Sequence, residues 1–142
     1  MLIFFDIDGV MHPVRSRRDA YMSCRPCFER WAGKNPEVRF VITSSWRQLY
    51  PLEVLRGYFS EAIQSRIIDT TPRLYGTREH ARYQEILSWL KTNDAMDDPW
   101  LALDDSYSEF PAQFPQLVRC MPDRGFDDAV ALELDRRLAG TG

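Results

Sequence analysis

Three pairs of residues in this chain are of types that do phosphate and metal chemistry: Asp6 with Asp8, Thr43 with Ser44, and Asp104 with Asp105. Each pair stands at the end of a short apolar run, in LIFFDID, VRFVITSS and WLALDD. A buried strand avoids carboxylates, because an unpaired buried charge is costly. Brought together, such acids also repel: two unit charges ~4 Å apart at an effective dielectric of ~20 cost about 4 kcal/mol per pair. A hard divalent cation with oxygen ligands, Mg²⁺ first among them, offsets that cost. The same ion screens an incoming phosphate and supports phosphoryl transfer, where positioning and charge neutralisation carry most of the catalysis. A carboxylate that becomes an aspartyl-phosphate splits such a transfer into two easier steps. Hydroxyls and backbone N–H groups from Thr43 onward could then hold the phosphate oxygens.

These pairs need elements that bring them to one place. Leu2 to Phe5, Val38 to Thr43, Trp100 to Leu103 and Leu117 to Cys120 read as strands, with a short further strand over Ser65 to Ile68. Helical patterns lie between them. One runs from Pro26 to near Gly33, and PLEVLRGYF opens another with Pro51 in its first turn. A third spans about Thr77 to Lys91 with Ile86, Leu87 and Leu90 on its apolar stripe, and Phe126 to Leu138 closes the chain. Residues 12–23 read as a polar loop and DTTP at 69–72 as a turn. Strand and helix alternate, and the strands are continuously apolar, which predicts an α/β, Rossmann-like parallel sheet with helices on both faces. Ligands of such sheets sit beyond the carboxyl ends of the strands. All three pairs are expected at that edge.

Composition agrees with one globular domain over residues 1–142: hydrophobic residues make up 44% and aromatics 13%. A formal charge of -3 gives no support for broad electrostatic binding of nucleic acid. No apolar run approaches the ~20 residues of a membrane span, and the apolar start stops at Asp6 without a basic leader, so a cytoplasmic protein without membrane contact is expected. Cys24, Cys27 and Cys120 form no disulfide framework. Cys24 and Cys27 match C-x-x-C, but a structural zinc site wants four ligands and no second close pair exists. Reduced thiols near a helix start are the expectation.

FFDIDGVMHP resembles the first motif of the haloacid dehalogenase (HAD) superfamily, DxDG[VT]. VITSSW resembles its second motif and LALDDS its fourth, and the resemblance spans nearly the whole chain. The combination is most similar to the small, capless HAD domains of RNA-repair (Swiss Army Knife) proteins. It implies that Asp6 is the nucleophile and Asp8 the general acid, then base. It also implies that Thr43 binds phosphate with Ser44 beside it. Of Asp104 and Asp105, Asp105 fits the direct Mg²⁺ ligand and Asp104 the adjoining acid, the sequence leaving open which of the two touches the ion. The Asp6 carboxylate and the Asp8 main-chain carbonyl would complete the coordination. The third motif needs a Lys or Arg, for which Arg82 is favoured over Arg78, one turn earlier.

The resemblance further implies a phosphomonoester hydrolase. Residues 10–37 and 47–81 are too short for a folded cap domain, and an open site suits a bulky phosphorylated substrate such as a nucleic-acid end. A small-molecule phosphatase for nucleotides or sugar phosphates is the alternative, and a HAD-fold module without turnover is a third reading. Arg47 reads as a substrate contact or a solvated loop residue. Arg15, Arg17 and Arg18, with Tyr21, lie where substrate would approach. His12 reads as an exposed loop residue.

Overall fold

The computed structural model describes residues 1–76 and 79–141. Five parallel strands form one sheet: β1 (Leu2–Phe5), β2 (Arg39–Ile42), β3 (Ile67–Thr70), β4 (Trp100–Asp104) and β5 (Leu117–Arg119). Their spatial order is β3-β2-β1-β4-β5. The chain steps outward from β1 through β2 to β3, then crosses to the other side of β1 for β4. The order in which strands are added therefore reverses between β1 and β4, and the crevice at such a switch point is where α/β sheets hold ligands.

All of β1 is buried, as an apolar strand paired on both sides must be. Leu2 and Phe4 point to one face with Val41 and Ala102, against Ile86, Trp89 and Leu90 of α4 (Ala81–Thr92). Ile3 and Phe5 point to the other, against α1 (Arg25–Gly33), α2 (Leu52–Arg56) and α5 (Asp128–Thr141). There the rings of Phe5, Phe28, Phe40 and Phe59 meet with centroids 5.1–6.0 Å apart. Helices thus cover both faces. Between β4 and β5 the chain crosses without a helix, and Phe110 and Phe114 of that crossing pack on the α4 face.

Several boundaries differ from the sequence reading. The third strand begins at Ile67 and takes in Asp69 and Thr70, which had read as a turn. Asp69 is accommodated because its Oδ2 accepts the Trp89 indole N–H at 2.8 Å. A one-turn helix, α3 (Glu61–Gln64), precedes it where no helix was expected. The described part of the next helix starts at Ala81; residues 77 and 78, and with them Arg78 as the alternative third-motif residue, lie outside the described residues. Trp31 and Trp89 are core residues, whereas Trp100 is only half-buried. Among the described residues no helix is long and apolar enough to cross a membrane.

Candidate active site

The carboxyl edge of β1, β2 and β4 collects the predicted residues. Backbone bonds lock the three strand ends together: Asp6 N–H donates to Leu103 O at 3.0 Å and Thr43 N–H to Phe5 O at 2.9 Å. Asp6 and Thr43 therefore leave adjacent strands side by side. Asp104 is the last residue of β4, on the other side of Asp6. One carboxylate oxygen from each of Asp6, Asp104 and Asp105 lies within 4.8 Å of the others.

Gly9 makes that closeness possible. Its φ of +80° is costly for a residue with a side chain, and a Cβ there would stand 2.4 Å from Asp105 Cγ. The turn after β1 is otherwise held down by apolar anchors, since Ile7, Val10 and Met11 are fully buried. Met11 N–H donates to Ile7 O and Gly9 N–H to His12 O, both at 2.8 Å. The loop returns on itself, and His12 comes back against Asp8.

Charge at the edge is only partly balanced. Arg82, in the first turn of α4, reaches between the acids: its Nη1 is 3.3 Å from Asp6 Oδ1 and 3.7 Å from Asp104 Oδ2, and donates to Thr43 O at 2.9 Å. Burial alone would lower the Arg82 guanidinium, but Asp6 and Asp104 raise it. Burial in turn raises Asp6, against the pull of Arg82. It pushes Asp104 up to about 8, with Asp6 adding to the effect. Asp104 Oδ1 accepts the Ser106 N–H at 3.0 Å, while its buried Oδ2 has no hydrogen-bond partner. A buried carboxylate oxygen left without a donor is unfavourable in a protein alone. Beside two further acid oxygens, it has the chemistry of a cation ligand.

Asp8 is presented differently. Its side chain is 49% exposed, yet both oxygens are held: Oδ1 by His12 Nε2 at 2.8 Å and Oδ2 by the Trp46 indole N–H at 3.1 Å. His12 is itself buried, with 1% of its side chain exposed, and its Nδ1 accepts the Met22 N–H at 3.2 Å. An accepting Nδ1 leaves the ring proton on Nε2, so the network assigns His12 as the donor to Asp8. The expectation of an exposed loop histidine is thereby corrected: buried Val10 and Met11 drag the segment into the protein.

Arg47 is also corrected. Its side chain, only 5% exposed, turns away from solvent and is committed to the protein. Its Nε donates to Thr71 O at 2.9 Å, its Nη1 to Thr43 O at 2.6 Å and Ser44 O at 2.9 Å, and its Nη2 to Glu85 Oε2 at 2.6 Å. Buried Glu85 on α4 is the counter-charge that keeps Arg47 inside, so the pair fixes the segment after β2 rather than a substrate. Ser44 is fully buried, and its Oγ caps the turn at Ser45–Gln48 by accepting the Trp46 N–H at 3.2 Å.

Cys24 and Cys27 make no bond to these acids, whereas the backbone N–H of buried Cys120 donates to Asp104 O at 2.9 Å. All three are free, and burial pushes each thiol up, away from the reactive thiolate. Cys24 Sγ donates to Arg124 O and Cys27 Sγ to Asp128 Oδ1.

No curated protein and no solved structure matches the chain. Residues 2–131 of the 142 match a family described as the HAD domain in Swiss Army Knife RNA repair proteins. The Rossmann-like parallel sheet agrees with that match, and the acids of the first and fourth motifs meet at its switch point. The chain belongs to the HAD domains of Swiss Army Knife RNA repair proteins.

Proposed function

We propose that the chain is a Mg²⁺-dependent phosphomonoester hydrolase that works through an aspartyl-phosphate on nucleic-acid ends. One observation carries the chemistry: Asp104, whose buried Oδ2 has no hydrogen-bond donor, brings a carboxylate oxygen within 4.8 Å of ones from Asp6 and Asp105 at the sheet's switch point, with Arg82 alongside. Family membership supports a hydrolase or phosphatase, and the family's description names RNA repair. The residues between β1 and β2 supply only a short 3₁₀ turn and α1, so no inserted unit covers the site from that side.

The carboxylates of Asp6, Asp104 and Asp105 would hold the ion. When bound, Mg²⁺ offsets the charge of the acids and of the incoming phosphate. A carboxylate oxygen of Asp6 bonds to phosphorus as the bond to the leaving oxygen breaks. That oxygen keeps the electron pair and takes a proton from Asp8. Water then gives a proton to Asp8 while its oxygen bonds to phosphorus, and the pair of the Asp6–phosphorus bond returns to Asp6. Thr43 and Arg82, in contact with each other beside Asp6, would hold the phosphoryl oxygens through both steps.

Phosphate release from p-nitrophenyl phosphate tests this reading. Turnover is expected with Mg²⁺ and lost in EDTA, and Asp6→Asn is expected to remove it. Absence of metal-dependent turnover on every phosphomonoester, or full activity in Asp6→Asn, would overturn it.

A further inference from the structure

A groove of about 520 Å³ opens beside Asp8, lined by Tyr21, Trp46, Tyr50, Tyr58, Leu49 and Arg18 among others. It shares its wall with the site. Trp46, whose indole holds Asp8 Oδ2, lines it, and Tyr21 stacks on the His12 ring that holds Asp8 Oδ1, with centroids 4.6 Å apart and planes at 15°. Trp46 is the hub of the rings: its centroid is 5.5 Å from Tyr21, 5.5 Å from Tyr58 and 6.3 Å from Tyr50. Trp46 and Tyr58 pack partly on the core, whereas Tyr21 and Tyr50 are each 40% exposed and Leu49 is 77% exposed, so the outer rings are available to a ligand.

Position decides what the groove could receive. Asp8 is the residue that would protonate the leaving oxygen, so a groove built on Asp8's own supports lies on the leaving-group side. Walls of flat, amphipathic rings offer stacking faces to a planar base. Charge decides how far the ligand extends. Arg15, Arg17 and Arg18 are exposed on the same loop, and among the described residues no hydrogen bond or ion pair engages their side chains; Asp19 is the one acid among them. A mononucleotide would place its single phosphate at Asp6 and leave these three arginines without an anion. A continuing strand would supply further phosphates.

We propose that this groove seats the terminal base of a phosphorylated single-stranded nucleic-acid end, and that Arg15, Arg17 and Arg18 meet the phosphates that follow. The assignment rests on the phosphatase reading for its orientation, since it takes the terminal phosphate to lie at Asp6.

Binding without turnover tests it. Asp6→Asn protein with Mg²⁺ is titrated into labelled short single strands carrying a 3′- or a 5′-phosphate, each made with an ordinary or an abasic terminal nucleotide. At one end at least, the base-bearing strand should bind about 5- to 100-fold more tightly than its abasic counterpart. Tyr50→Ala in the same background should erase that difference and Tyr50→Phe should keep it. Replacing Arg15, Arg17 and Arg18 together with Gln should flatten the salt dependence by about two units of log–log slope. Equal binding of base-bearing and abasic ends overturns the proposal, as does equally tight binding of a mononucleotide or a tyrosine-phosphorylated peptide. These readouts do not need turnover, so they can fail while p-nitrophenyl phosphate is hydrolysed, and can succeed while it is not.

Discussion

His12 Nε2 stands 2.8 Å from Asp8 Oδ1, and the backbone N–H of Met22 fixes the imidazole from its other side. The side chain proposed to move protons is thus aimed by a buried ring that reaches no substrate. His12→Gln would release Asp8 on that side while Trp46 still holds Oδ2. Proton delivery matters most when the leaving oxygen is strongly basic, so the loss should depend on the ester. With about 10²–10⁴-fold at stake in general acid catalysis, kcat/KM for an alkyl phosphate should fall on the order of 100-fold. That for p-nitrophenyl phosphate, whose leaving group departs unaided, should fall no more than about tenfold. A uniform loss across a leaving-group series would count against a positioning role.

The Arg47–Glu85 pair makes a different prediction. Both side chains are buried and 2.6 Å apart, and Arg47 also holds the carbonyls of Thr43 and Ser44. Removing one partner leaves an uncompensated buried charge, which typically costs about 3–5 kcal/mol. Glu85→Ala should therefore lower Tm by roughly 10 °C or more. It should also weaken phosphate binding, because the segment bearing Thr43 loses its brace. Joint replacement by Arg47→Met and Glu85→Leu should recover much of the stability but not the activity. Thermal unfolding of the two variants, set beside KM for p-nitrophenyl phosphate, checks both halves.

Much of this site could be read from residue types. The acids and hydroxyls at the ends of LIFF, VRFVI and WLAL were legible because a continuous apolar run marks a buried parallel strand, and such strands deliver their last residues to one edge. Arg82 was favoured only through the family resemblance, whose third motif calls for a Lys or Arg ahead of WLALDD. His12 and Trp46 were not legible, because their roles depend on a turn that folds Val10 and Met11 into the core and on a short 3₁₀ segment after Ser44. The buried pairs at the turn after β1 carry no periodicity, although apolar residues interleaved with Asp6, Asp8 and His12 were a signal that this loop is anchored. Arg47 misled because a lone arginine in a loop looks solvated; its counter-charge, Glu85, lies far along the chain on α4. The third strand was misplaced because Asp69 breaks the apolar run, and it is tolerable in a strand because its carboxylate accepts both the Trp89 indole N–H and the Thr70 N–H.

Asp104 should make the metal-free protein respond to pH in an unusual direction. Its carboxyl is pushed up to about 8 from an ordinary 3.8, first by burial and then by Asp6. Between those limits the folded state binds the proton that the unfolded chain has lost, so this group's contribution falls as pH rises. It is full below about pH 4 and gone above about pH 8. In EDTA, wild type should lose stability relative to Asp104→Asn as pH rises through that window, the amide standing in for the protonated acid. Added Mg²⁺ must displace the proton, so its stabilising effect should grow over the same range and be absent in Asp104→Asn. Unfolding midpoints of both proteins, with EDTA and with Mg²⁺, measure this; parallel pH profiles for the two would refute it.

Gly9 sets the last constraint, because two separate costs meet at one position. A side chain at φ +80° carries strain of about 1–2 kcal/mol. A Cβ would also fall 2.4 Å from Asp105 Cγ, so Gly9→Ala must displace the Asp105 carboxylate, the turn, or both. The strain belongs to the backbone and remains whatever stands at residue 105. The collision disappears if Asp105 loses its side chain. Gly9→Ala should consequently cost more stability in wild type than in an Asp105→Gly background, with a coupling of about 1 kcal/mol or more between the two changes. In wild type it should also weaken Mg²⁺ binding, read by the shift of Tm with added metal, toward the value of Asp105→Gly itself. Additive stabilities would mean that the collision with Asp105 carries no cost, and Mg²⁺ binding in Gly9→Ala should then stay close to wild type.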